Sequence, residues 1–219
     1  MTNHLDIDNN NDINFHLVDD DNRNPNEKCN TMNSKTPLIL LDADGVLFDF
    51  VSPYMDLANR LSGYNLTLKD VHTWELKTLY PVKIQDELRK KSREAGFCAR
   101  LQPYPAAITA VNSLRKLGSV YCVTSPCLAP TWVFERTLAL MKHFGFKSNE
   151  IVHTAAKQLV RGTALIDDKS ENIVAWTETN PEGLGIIWDA PYNQGWPGVL
   201  RTSSWDTVIQ SITEHANQF

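Results

Sequence analysis

The stretch LILLDADGVLFDF, residues 38–50, runs an apolar segment straight into two aspartates, Asp42 and Asp44, with Gly45 right behind them. A short continuous apolar run of this kind reads as a strand buried on both faces, as in a parallel sheet. Residues i and i+2 of an extended chain point the same way, so Asp42 and Asp44 can address one substrate. Gly45 lets the backbone turn sharply after them, where a side chain would crowd the site.

Outward from this strand, helix and strand signals alternate. A helical stretch covers 51–62, and LTLKDVHTWEL (66–76) spaces Thr67 and Asp70 as a capping box. A Lys-, Glu- and Arg-rich helix over 83–95 is expected to stop at Gly96, and Pro105 opens a helix closed by Gly118. SVYCVT is the next strand, 131–144 the next helix, and EIVHT and TALID two further strands. A helix over 170–178, the strand LGIIWD and a helix over 204–215 complete the chain. Such alternation implies an α/β fold, a Rossmann-like parallel sheet with helices on both faces. The interval 51–104 has helical signals and no convincing strand, so it is expected to form a small helical cap inserted after the first strand. Residues 37–50 and 105–219 would then form the core domain.

Composition separates residues 1–36 from the rest. They hold ten Asn and six Asp with no sustained period, too little apolar surface to offset the entropy of ordering, and are expected to be a disordered tail. Seven acids against three bases place four of the five net negative charges there. The remainder, with 19 acids and 18 bases, is nearly neutral, which argues against a nucleic-acid polymer as partner. No apolar run approaches the ~18 residues a membrane span needs, and no basic-then-apolar leader opens the chain. Cys29, Cys98, Cys122 and Cys127 lack zinc-like pairing, so reduced thiols in a cytoplasm are expected. In the tail, Asp6, Asp8, Asn10 and Asp12 alternate as in an EF-hand loop, but Asn11 and Leu17 replace its turn glycine and bidentate glutamate.

Open parallel sheets bind ligands at the carboxyl ends of their strands. Those ends carry Asp42 and Asp44, then Thr124 and Ser125, then Asp167 and Asp168, with Lys157 after EIVHT. Four crowded carboxylates repel unless some protonate or a cation sits among them. Oxygen ligands without His or Cys select a hard ion such as Mg²⁺, which commonly shares its shell with a substrate phosphate. A lysine and two hydroxyls supply what the other phosphoryl oxygens require. Asp42 can then act as nucleophile and Asp44 as proton shuttle.

This set, Asp42-Ala-Asp44-Gly45-Val46, Thr124, Lys157 and Asp167-Asp168, resembles the four motifs of the haloacid dehalogenase-like phosphohydrolases. More narrowly, DADGVLFDF, VTSP, the Lys157 segment, LIDDK and EAGFCARLQPYPAAITAVNSL resemble the 5′(3′)-deoxyribonucleotidase family over roughly 37–210. The resemblance implies an Asp42 that becomes an aspartyl phosphate, with Asp44 as acid/base whose backbone carbonyl also binds Mg²⁺. It further implies that Thr124 and Ser125 hold phosphate oxygens, that Lys157 neutralises charge, and that Asp168, with Asp167 beside it, completes the metal shell. Phe50 stands where the nucleotidases carry an aromatic residue. TAAK (154–157), in place of a more polar approach to Lys157, and Ser92 or Arg93, in place of an aromatic cap residue, depart from that pattern.

Taken singly, each motif has a plainer explanation: a turn at Asp44-Gly45, a helix N-cap at Asp167-Asp168, a surface Lys157. Their order and common placement at strand ends favour catalysis. Trp74 and Phe97 are divided between cap core and substrate contact, Trp132, Trp176 and Trp205 are expected to be packing residues, and RKKSR (89–93) a solvated face. The expected activity is Mg²⁺-dependent hydrolysis of a nucleoside monophosphate, a pyrimidine deoxynucleotide first, with Phe50 and Trp74 gripping the base. Sugar phosphates are the alternative substrates, and a silent phosphate-binding regulator the alternative class. The oligomeric state stays open, a homodimer included.

Overall fold

The computed structural model describes residues 36–195 and 198–218. The Asn/Asp-rich stretch, apart from Thr36, lies outside them, and so do its EF-hand-like run and Cys29. The strands are β1 (Leu38–Leu41), β2 (Phe48–Asp49), β3 (Gln102–Pro103), β4 (Ser119–Thr124), β5 (Ile151–His153), β6 (Ala164–Asp167), β7 (Leu184–Trp188) and β8 (Leu200–Thr202). The α-helices are α1 (Val51–Ser62), α2 (Val82–Lys91), α3 (Pro105–Leu117), α4 (Trp132–Phe144), α5 (Ser170–Thr179) and α6 (Trp205–Ala216).

Six strands form one parallel sheet in the order β5-β4-β1-β6-β7-β8. The apolar opening stretch is its middle: Leu41 pairs with Cys122 of β4 on one side and Ile166 of β6 on the other. Alternate residues feed opposite layers, as the two-residue strand period requires. Ile39, Leu41, Cys122 and Ile166 pack with Val111 and Leu114 of α3, Leu140 of α4 and Ile212 of α6. Leu40, Val123, Leu165 and Ile187 pack with Ile173 and Trp176 of α5. Each buried aliphatic side chain contributes about 1.5–3 kcal/mol, so both faces of β1 are strongly specified.

From β1 the chain proceeds to β4 and β5 on one side, and from β6 to β7 and β8 on the other. The direction of winding therefore reverses between β1 and β6. That switch point opens a crevice at the carboxyl ends of these two strands, where the Asp42 and Asp167 segments emerge.

The interval after β1 is mostly helical, with two apolar clusters of its own, one around Val51, Met55, Val71 and Leu76, the other around Ala58, Tyr80, Ile84 and Leu88. The Thr67–Asp70 capping signal is real: the Asp70 carboxylate accepts the Thr67 backbone N–H at 2.7 Å and its hydroxyl at 3.0 Å.

Three details differ from the sequence reading. Gln102–Pro103 is a strand, antiparallel to β2, although two residues are too few to show a period. β8 extends the sheet edge with half-buried Leu200, Arg201 and Thr202, which carry no apolar alternation. α2 ends at Lys91, not before Gly96. Tertiary contacts override helix propensity there: Gly96 and Ala99 donate backbone N–H groups to the Glu135 carboxylate, and Phe97 stacks on Trp132. Trp176 and Trp205 are packing residues as expected, Trp176 fully buried and Trp205 against Trp188 with centroids 4.3 Å apart.

Candidate active site

Residues 42–48 form a tight turn at the crevice. Asp42 donates its backbone N–H to Ile166 at 2.9 Å, extending the β1–β6 pairing, and Gly45 donates to Phe48 at 2.9 Å. Gly45 has φ +80°, and a Cβ there would lie 1.9 Å from Asp168 Oδ2, so both backbone conformation and space require glycine.

Beneath this turn lies an ionic cluster sealed from water. Lys157, in a short 3₁₀ turn after β5, places Nζ 2.6 Å from Asp42 Oδ1 and 2.6 Å from Asp167 Oδ2. Burial works against its charge, but the two carboxylates outweigh that and hold the ammonium above its usual range. Burial pushes Asp42 up to about 7; Lys157 opposes the rise, and Asp167 and Asp44 reinforce it. Asp168 is likewise held well above the carboxylate range, by burial first and then by Asp42 and Asp167.

The two residues of the acidic pair differ. Both oxygens of Asp167 are occupied: Oδ2 accepts from Lys157 and from Asn172 at 3.0 Å, and Oδ1 from the Lys169 N–H at 2.8 Å. Asp168 accepts the Tyr192 hydroxyl on Oδ2 at 2.5 Å, while its buried Oδ1 has no partner among the described residues. Asp42, Asp167 and Asp168 offer oxygens all within 4.8 Å of one another, a cluster that could hold a metal ion. The Asp44 carboxylate is not among them; it pairs with the guanidinium of Arg136.

A cavity of about 510 Å³ opens above the cluster, lined by the polar side chains of Asp42, Asp44, Asp168, Thr124 and Ser125 and by the rings of Phe50, Tyr54 and Trp74. Phe50 stacks on Tyr54 with centroids 5.4 Å apart. Trp74 meets the Tyr192 ring edge-on at 5.5 Å, with Lys169 Nζ 5.4 Å from its own ring centroid. Phe97 instead belongs to the apolar core behind Trp132. At the two departures from the nucleotidase pattern, Ala155 of TAAK and Ser92 of the Ser92–Arg93 pair also line the cavity.

Sequence reasoning missed Arg136, Tyr192 and the double role of Trp132, which is buried in the core yet also walls the cavity. Arg136 had left a signal. The inward positions of α4 are Trp132, Arg136, Ala139, Leu140 and Phe144, so a charge falls on the apolar stripe of an amphipathic helix. Tyr192 lies in an irregular loop with no period to mark it. Asn193 holds that loop in place, donating to the carbonyls of Asp168 (2.7 Å) and Trp188 (2.8 Å).

Residues 36–219 match the family described as 5′ nucleotidase, deoxy (Pyrimidine), cytosolic type C protein. The chain belongs to this family. It is 32% identical over 162 residues to a protein of Bordetella bronchiseptica that carries the provisional name 5′(3′)-deoxyribonucleotidase, covering 72% of this chain and 86% of that one. It is 24% identical over 178 residues to the 5′(3′)-deoxyribonucleotidase of Bacillus subtilis, covering 80% of this chain and 98% of the relative. A haloacid dehalogenase-like family hydrolase from Streptococcus pneumoniae shares the fold, with a TM-score of 0.53 at 14% identity over 81% of this chain and 99% of that one. Family and fold together make this nucleotidase-family chain a phosphoric monoester hydrolase. Among the described residues, no helix is long and apolar enough to cross a membrane.

Proposed function

We propose that the chain hydrolyses the phosphate ester of a nucleoside monophosphate, a pyrimidine deoxynucleotide first, through a phosphorylated Asp42. The observation that carries this reading is Asp42, paired from behind with the buried Lys157 and lining a cavity that also bears aromatic rings. An Asp42 carboxylate oxygen attacks phosphorus, the ester P–O bond breaks, and Asp44 gives its proton to the departing oxygen. Water then attacks phosphorus and yields a proton to Asp44, and the bond from phosphorus to Asp42 breaks. Inorganic phosphate leaves, and both aspartates return to their starting states. Thr124, Ser125 and Lys157 hold the phosphoryl oxygens throughout.

The residues fit Mg²⁺. The donors are all oxygen, the carboxylates are crowded and buried, and Asp168 keeps an unpartnered buried oxygen. Asp42, Asp168 and the Asp44 carbonyl would hold the ion, and Asp167 would orient the cluster from behind. Bound there, the ion neutralises phosphoryl charge.

In this reading 51–104 acts as a cap, with Phe50 and Trp74 gripping the base. Cys98, Cys122 and Cys127, which form no disulfide among the described residues, support a reducing cytoplasm as the place of work. A phosphatase screen of pyrimidine and purine, deoxy- and ribonucleotides and of sugar phosphates, with Mg²⁺ and with chelator, tests the proposal. Mg²⁺-dependent turnover with highest kcat/KM on a pyrimidine deoxynucleotide is the expected result. A sugar phosphate turned over faster than every nucleotide would overturn the substrate assignment.

A further inference from the structure

We infer that Arg136 is the positioning residue that aims the Asp44 carboxylate for proton transfer, an assignment that rests on the phosphatase reading above. Arg136 is completely buried, and its guanidinium forms an ion pair with Asp44 Oδ1. A guanidinium stays charged at any working pH, and burying one costs several kcal/mol unless it is well compensated. Compensation is incomplete here, since Nε and Nη1 find no hydrogen-bond partner among the described residues. Aromatic faces cover the rest: the Phe48 centroid is 4.4 Å from Cζ and that of Trp132 is 5.8 Å away. An apolar side chain at this helix position would fill the core without that cost, so packing alone does not account for the arginine.

The geometry around it is stiff on both sides. Asp44 and Phe48 bridge one another across the tight turn, so Arg136 grips that turn by carboxylate and ring together. On α4 its neighbours are pinned as well. Glu135 accepts from Gly96 at 2.6 Å and Ala99 at 3.0 Å, and the Thr137 hydroxyl meets His153 Nε2 at 2.9 Å. The Asp44 side chain is still 25% exposed, and it lines the cavity. With Oδ1 taken by Arg136, Oδ2 is the oxygen from which the proton reaches the leaving group. Asp42 has Lys157 for the same purpose; Asp44 has Arg136.

Leaving-group dependence separates positioning from packing. A nucleoside alkoxide must receive a proton as its bond to phosphorus breaks, whereas p-nitrophenolate departs without one. With formation of phosphorylated Asp42 irreversible, kcat/KM reports only events up to that bond cleavage. Arg136→Met should therefore lower the ratio of kcat/KM for a pyrimidine deoxynucleotide over p-nitrophenyl phosphate by about tenfold or more, since a well-placed proton donor contributes roughly 10²–10⁴-fold. Added to Asp44→Asn, it should lower that ratio no further. Arg136→Lys keeps the buried charge but lacks the planar fork, and should lower the ratio by about threefold or more. It supplies the reading if circular dichroism shows that Arg136→Met does not fold. An unchanged ratio in the folded variant, or an extra loss on top of Asp44→Asn, would overturn the assignment. A parent chain inactive on every monoester would instead sink the phosphatase reading. If nucleotides alone are refused, glycerol phosphate serves as the alkyl ester.

Discussion

The two ends of the cavity are built on opposite physical terms. At the floor, Asp42 and Asp168 line the cavity with Lys157 and Asp167 behind them, all four at least nine-tenths buried and tied by bonds of 2.5–2.6 Å to one another or to Tyr192. At the outer wall, Trp74 is 41% exposed and held by one ring edge and one ammonium. Removing one member of a buried ionic cluster leaves a partner uncompensated, typically at about 3–5 kcal/mol. Removing a half-exposed ring loses a stacking surface of about 1–3 kcal/mol. On the proposed function, the contrast assigns the choice of reaction to the floor and the choice of substrate to the wall, which can be rebuilt cheaply.

The largest effect is expected at the floor. Asp42→Asn keeps the shape and deletes the nucleophile, so turnover should fall below a few per cent of the parent while circular dichroism stays unchanged. Greater residual kcat would break the covalent mechanism and with it the special status of the floor. Asp168→Ala removes the oxygen that has no partner among the described residues, and should weaken Mg²⁺ binding at least about tenfold, as loss of even a group that only orients a metal ligand does. Titration calorimetry with Mg²⁺ alone reads this directly, and an unchanged affinity would remove Asp168 from the metal shell.

The wall should respond selectively. Trp74→Ala is expected to lower kcat/KM for the nucleotide by about tenfold to a hundredfold, at ~1.4 kcal/mol per decade. A small phosphate ester without a base should be barely affected. Equal losses on both substrates would erase the distinction between wall and floor.

The smallest effect is one of stability. A carboxyl whose pKa is raised on folding stabilises the fold fully below its unfolded value, and that contribution fades as pH rises through the folded one. For Asp42 the window runs from 3.8 to about 7, and Asp168 shifts in the same direction. Mg²⁺ competes with these protons, so the gain in Tm from added Mg²⁺ should be larger at pH 7.5 than at pH 5.5. Each ~1 kcal/mol is worth about 2–4 °C in a chain of this size. A gain independent of pH would place the ion elsewhere.

Most of the fold was legible in particular residues. LILL announced a strand buried on both faces, and burial of Ile39, Leu40 and Leu41 bears it out. Pro105 opened α3 because an imide fixes φ at a helix start, and Gly145 closed α4 in the αL geometry that favours glycine. Gly118 after α3 is extended, and glycine is required there because a Cβ would lie 2.0 Å from the Pro37 carbonyl oxygen. β2 and β3 escaped notice because two residues carry no readable period, and β8 because LRT lacks the apolar pair that marked the equally short β5. The Gly96 stop failed because Glu135, 39 residues away, captures the backbone N–H there.

For the site, the sequence by itself determined which groups gather: carboxylates, hydroxyls and a lysine at or near the ends of strands whose parallel order follows from strand–helix alternation. Local pattern suffices for Asp42, Thr124 and Asp167, which close apolar runs whose burial follows from their own composition, whereas Lys157 lies four residues past the half-buried β5. Only the tertiary structure decided how the four carboxylates divide their work. Asp167 is consumed by Lys157, Lys169 and Asn172, Asp168 keeps an oxygen to spare, and Asp44 is claimed by Arg136, 92 positions away. Identical side chains differ in function through their partners. Those partners come from different strands and helices, so their approach depends on how the layers close and not on the spacing of residues along the chain.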